Sequence, residues 1–91
     1  MALALYFKPH GFTPAKYDET LQRLEAAGAG APAGRLYHAA FENDGHIHVF
    51  DVWESQAAFE AFGATLLPIM GELGVDPGQP EVAPVHNTIV S

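Results

Sequence analysis

This sequence predicts an α+β fold of order βαββαβ, and three observations carry the prediction. The first strand candidate is apolar on both faces. Two capped helix patterns flank a hairpin signal. A proline stands inside the last strand candidate. A strand covered on both faces belongs in the middle of a sheet, and proline, which cannot donate to a ladder, belongs at its edge.

Ala2–Phe7 is the first strand, with Leu3, Leu5 and Phe7 on one face and Ala2, Ala4 and Tyr6 on the other. Lys8, Pro9, His10 and Gly11 turn the chain. Thr13 then serves as N-cap, Pro14 takes the first helical position, and Phe12 is spaced to staple onto Tyr17. Tyr17, Leu21 and Leu24 repeat at helical spacing, and Gly28 ends the helix. Arg35–Glu42 and His46–Trp53 are strands around Asn43-Asp44-Gly45, a strong hairpin signal. Ser55 caps a second helix whose apolar stripe is Phe59, Phe62, Leu66, Met70 and Leu73. Pro68 removes a hydrogen bond from it, which predicts a kink or restart near Leu67. Val82–Val90 is the last strand, placed at an edge by Pro84.

Right-handed crossovers turn this order into a ferredoxin-like antiparallel sheet, strand order 4-1-3-2, with two helices on one face. The other face is also apolar, since Phe50 and Val52 point away from Ile47, Val49 and Trp53. Left bare, it would be a large apolar patch. A homodimer packed sheet to sheet, closing a dimeric α+β barrel, is therefore expected.

The chain has 91 residues, which predicts one domain over 1–91. It has no cysteine, so disulfides, thiolate metal sites and cysteine nucleophiles are excluded. Four Lys and Arg face eleven Asp and Glu, a formal net charge of −7. That charge opposes nucleic-acid and anionic-membrane partners. No apolar run approaches the roughly 20 residues of a membrane span, and a cytoplasmic location is expected.

Asp51-Val52-Trp53-Glu54-Ser55, running from the third strand into the second helix, and the following Ala58-Phe59-Glu60-Ala61-Phe62 carry a resemblance. With the βαββαβ order and the chain length, they make the sequence resemble the dimeric α+β barrel superfamily, that of the antibiotic-biosynthesis monooxygenases. The resemblance implies a small-molecule cavity between sheet and helices. It also implies chemistry drawn from cofactor-free oxygenation, isomerisation, decarboxylation, dehydration or haem degradation. Haem-degrading members use a tryptophan ending strand three, a histidine on helix two and an asparagine in strand one. Trp53 matches the first, but this chain has neither of the others.

Histidines supply the candidate chemistry. A two-residue hairpin loop puts Asn43 opposite His46, His38 opposite Asp51 and Leu36 opposite Trp53, whereas a three-residue loop pairs His38 with His48. In the first register Asp51 orients His38 as a general base and Trp53 walls the pocket. The plainer reading is a half-buried polar pair that holds register, with Trp53 in the core. His46 and His48 share one face and could chelate a metal with His86 or His10. Nothing in the spacing fixes a fourth ligand, so no metal or other cofactor is expected. His86 and Asn87 face opposite ways in any regular strand, so only one of them can reach a pocket. Tyr17, near a helix N-terminus that favours anionic ligand groups, joins Phe62, Trp53 and His86 as candidate substrate contacts.

Two readings lead at this point, ahead of a histidine metal site or a haem-related protein. One is a cofactor-independent monooxygenase-like or isomerase-like enzyme acting on a small apolar or aromatic molecule through His38 and Asp51. The other is a non-catalytic barrel that binds a small molecule. A cavity of roughly several hundred Å3 walled by the His38–Asp51 pair would favour the enzyme.

Overall fold

The computed structural model describes residues 1–91 as β1 (Leu3–Phe7), α1 (Pro14–Ala26), β2 (Arg35–Asn43), β3 (His46–Trp53), α2 (Gln56–Glu72) and β4 (Glu81–Pro84). All neighbouring strands pair antiparallel, in the order β2-β3-β1-β4. That is the expected ferredoxin-like topology with β1 inside.

Local chemistry starts each helix. Thr13 is extended and its hydroxyl accepts from the Lys16 N–H at 3.2 Å. Phe12 and Tyr17 meet edge to face at 5.7 Å, the expected staple. Ser55 caps α2 by accepting from Ala58 N–H at 3.1 Å. The β2–β3 turn places both Asp44 (φ 53°) and Gly45 (φ 80°) in the left-handed region, as a type I′ hairpin requires.

Packing on the helix side forms two apolar clusters. One joins Phe12, Ile47, Val49, Met70 and Val75. The other joins Leu5, Leu24, Trp53 and Phe62. Phe7 and Leu66 touch both clusters. On the opposite sheet face Tyr6 meets Phe41 at 6.0 Å, and Tyr37 meets Phe50 at 6.3 Å. Tyr37 and Phe41 are exposed in the single chain.

Three expectations need correction. The β2–β3 ladder slips between Arg35 and Tyr37, so Arg35, not Leu36, lies opposite Trp53. Leu36 is the extra residue of a bulge. α2 runs unbroken through Pro68 with no restart at Leu67. Pro68 and Ala64 both lie on the exposed side, where water can satisfy the carbonyl left without its donor. β4 stops at Pro84 instead of reaching Val90. Its last link to β1 is the Val85 N–H bond to Ala2 at 3.0 Å, beyond which the chain is exposed.

Gly34 combines a φ of 87° with crowding, since an added Cβ would fall 2.6 Å from the Ala58 Cβ. Gly63, inside α2, has open space around it and an ordinary φ. In chemical denaturation, Gly34→Ala is expected to lower stability by more than about 1 kcal/mol. Gly63→Ala is expected to raise it by about 0.5–1 kcal/mol, because alanine loses less backbone freedom in a helix.

Candidate functional site

The hairpin register brings the first candidates together. His38 lies opposite Asp51, as the two-residue turn predicts, and both face the helices. His38 Nδ1 is 2.6 Å from Asp51 Oδ1. Trp53 Nε1–H donates to Asp51 Oδ2 at 3.1 Å. Helix α1 adds a third partner, Tyr17, whose hydroxyl lies 2.7 Å from His38 Nε2.

Protonation along this chain follows from its members. Burial pushes the Tyr17 hydroxyl above its ordinary value of 10.0; the Arg35 charge opposes that rise, and Asp51 and Asp18 add to it. Tyr17 is therefore a neutral phenol at physiological pH, able to donate to Nε2. An Nδ1–H on His38 is placed to donate to the Asp51 carboxylate, and Nε2 then faces the Tyr17 hydroxyl. Asp51 is 5% exposed and accepts from two donors. A buried carboxylate without such donors would cost several kcal/mol, on the order of the penalty for an unpaired buried charge. No buried side-chain nitrogen or oxygen lacks a partner.

The Tyr17–His38–Asp51 edge lines a cavity between sheet and helices, at the seam of the two apolar clusters. Its volume is about 70 Å3, well short of the several hundred expected. The α2 side chains Phe62 and Leu66 crowd it from the far side, Arg35 completes the polar edge, and exposed Leu21 stands at its rim. An apolar cavity of about 150 Å3 accepts a benzene ring, so an aromatic ligand enters this one only if the rim opens.

The other candidates are placed differently. Phe62 reaches the cavity, but Trp53 does not. Trp53 is fully buried behind Asp51, its ring against Phe59 at 5.6 Å and Phe62 at 5.3 Å. Turning the indole N–H to the carboxylate sends the ring into the core. His86 lies past the end of β4, exposed and away from the cavity, because Pro84 ends the pairing that would have aligned it. His48 is on the opposite sheet face, bonded to the Tyr6 hydroxyl at 3.2 Å. His46 is exposed at the hairpin, and the exposed His10 pairs through its backbone with Asp76. No three His, Asp or Glu side chains converge as metal ligands. No helix is long and apolar enough to cross a membrane.

Sequence reasoning missed Arg35 altogether, because only the bulge turns it inward. It left Tyr17 without its partner, because that contact joins a helix to a strand. Solved structures share this βαββαβ architecture. SnoaB, a cofactor-independent oxygenase from Streptomyces nogalater, matches at TM-score 0.61 and 20% identity, over 99% of this chain and 96% of that one. A candidate monooxygenase from Shewanella loihica PV-4 matches at 0.57 and 20%, over 96% of each chain. A candidate antibiotic-biosynthesis monooxygenase from Chloroflexus aurantiacus matches at 0.58 and 17%, over 99% of this chain and 97% of that one. The sequence matches no family model and no curated protein. The chain has the fold of the antibiotic-biosynthesis monooxygenase-like proteins, the ferredoxin-like fold of the dimeric α+β barrel superfamily.

Alkaline titration reads the Tyr17 environment directly. Folding raises its value above that of the unfolded chain, so the neutral phenol is favoured in the native state. The resulting stability is complete below about pH 10 and is lost as pH climbs through the native value. Followed by tyrosinate absorbance, one tyrosine is expected to ionise late, and Tyr17→Phe is expected to remove that late step. At neutral pH, Asp51→Ala, which strands the His38 and Trp53 donors, is expected to cost about 2–4 kcal/mol in urea denaturation.

Proposed function

We propose that this protein is a cofactor-independent monooxygenase-like enzyme for a small aromatic molecule, with His38 as general base and Asp51 as its orienter. The observation that carries the reading is the continuous Tyr17–His38–Asp51–Trp53 hydrogen-bond chain, whose first three members line a largely apolar cavity. Oxygen chemistry comes from the likeness to SnoaB and the named monooxygenases. The residues themselves supply the base.

Tyr17 occupies the free face of His38, so a bound phenol hands its proton to the Tyr17 oxygen as Tyr17 passes its own to Nε2. Asp51 steadies the imidazolium that forms. The phenolate left behind is electron-rich at a ring carbon, and dioxygen adds there. His38 returns the proton to the peroxide, then moves the ring C–H proton to the departing hydroxide. One phenol and one dioxygen give one quinone and one water. The same base serves an isomerase-like proton transfer when dioxygen does not react.

The cavity of about 70 Å3 favours a second reading, a barrel that binds a small molecule without turning it over. In either case we place the functional unit in a homodimer. The exposed Tyr37 and Phe41 on the helix-free face, with Tyr6 and Phe50 beside them, suit burial against a second copy.

Oxygen uptake across a panel of phenols and naphthols tests the enzyme. His38→Ala is expected to cut uptake about 100-fold or more while the circular dichroism of the fold persists. Unchanged uptake would remove His38 as base. Exchange of substrate hydrogen with solvent deuterium, with no uptake, would select the isomerase-like reaction. Native mass spectrometry is expected to find a dimer, and Phe50→Glu a folded monomer.

A further inference from the structure

Arg35 is the only lysine or arginine that lines the cavity. It reaches that position through the β2 bulge. Arg35 and His38 are an odd number of residues apart and would face opposite ways in a regular strand, but the extra residue Leu36 turns both toward the helices. The guanidinium stands 5.8 Å from the centroid of the Phe62 ring.

This cation has no anionic partner. The chain carries eleven Asp and Glu residues, yet its ion pairs join Lys8 to Glu81, Arg23 to Glu19 and Glu72, and His38 to Asp51. None involves Arg35, and its guanidinium takes part in none of the side-chain hydrogen bonds. The acid nearest in the cavity wall, Asp51, has both oxygens engaged by His38 and Trp53. Arg35 is half-buried in the wall of a largely apolar cavity, where a guanidinium's fork of donors attracts charge with weak screening.

We infer that Arg35 is an oxyanion subsite, so that the cavity selects aromatic molecules carrying an acidic oxygen, either a phenolate or enolate or a ring-borne carboxylate. The subsite rests on the reading that this cavity takes a small molecule, and it narrows that molecule's class. A ring lies against Phe62 and its oxyanion meets Arg35. The phenol of Tyr17 and the imidazole of His38 lie along the same wall, so the acidic oxygen is held where proton transfer occurs. Arg35 also acts on Tyr17 through its charge, which opposes the effect of burial on that hydroxyl.

Binding tests the subsite without needing turnover. Intact protein is titrated calorimetrically with two matched probe pairs: para-nitrophenol at a pH where it is ionised against para-nitroanisole, and benzoate against benzamide. In the wild type at least one anion is expected to bind about tenfold or more tighter than its neutral mate, the range of one charge-assisted hydrogen bond. The pair that shows the preference identifies a phenolate or a carboxylate subsite. Arg35→Met, which keeps a flexible apolar stem over Phe62, is expected to abolish the preference while the neutral probe binds as before. Arg35→Lys, which keeps the charge without the fork, is expected to retain part of it, and circular dichroism checks both folds. Equal binding of anion and neutral probe to the wild type would overturn the subsite and leave the cavity reading standing. A preference that survives in a folded Arg35→Met protein would overturn it as well. If no probe of either charge binds the wild type, the small-molecule reading fails and the subsite fails with it.

Discussion

A carboxylate buried in a small apolar domain constrains everything around it. Asp51 sits on β3, almost out of reach of water, and stays there because His38 and Trp53 each hydrogen-bond one of its oxygens. Neither donor is free to move. His38 must face Asp51 across the hairpin, which holds the β2–β3 register to a single alignment. Trp53 must turn its indole edge along its own strand, which commits its ring to the cluster with Leu5, Leu24 and Phe62. A slip of one residue would turn His38 and Asp51 to opposite faces and break their bond. Register, core packing and imidazole tautomer thus depend on one side chain.

The same economy shapes the cavity. Apolar side chains from α1, α2 and β3 close most of the space between sheet and helices, and the polar groups are gathered along one edge. Two irregularities build that edge. The bulge at Leu36 admits Arg35 to the inner face, and the close approach at Gly34 lets the chain enter β2 hard against the start of α2. Glu54 N–H closes the corner by donating to the Gly34 carbonyl at 2.8 Å. A regular strand entering at this point would have shown a different set of side chains to the interior.

Legibility in the sequence followed the range of the interactions. The turn Asp44-Gly45 is local chemistry, and a two-residue loop there, one of the two registers the sequence allows, places His38 opposite Asp51. The caps at Thr13 and Ser55 and the staple between Phe12 and Tyr17 are local in the same sense. The bulge was not legible, because Leu36 carries no turn signal and an extra residue shows itself only when two strands are aligned. The Tyr17–His38 bond joins a helix and a strand 21 residues apart, and nothing in the period of either element announces it. The length of β4 was overestimated because Val82–Val90 is apolar enough for a strand. The pairing nevertheless ends at Pro84, where the chain leaves the sheet. The unbroken α2 departs from expectation for a related reason: the cost of Pro68 depends on which side of the helix faces water, and the sequence pattern alone did not say.

The indole of Trp53 has a consequence of another kind. It is the chain's single tryptophan, and its N–H is bonded to the acid that also holds His38. Whatever perturbs that acid, whether a proton arriving at the imidazole or a guest drawing Tyr17 away, alters the electric field on this one chromophore. The protein therefore carries an intrinsic optical reporter one bond behind its polar edge, buried from quenchers in the solvent. Events at the cavity wall are written into its near-ultraviolet absorption and emission without any label.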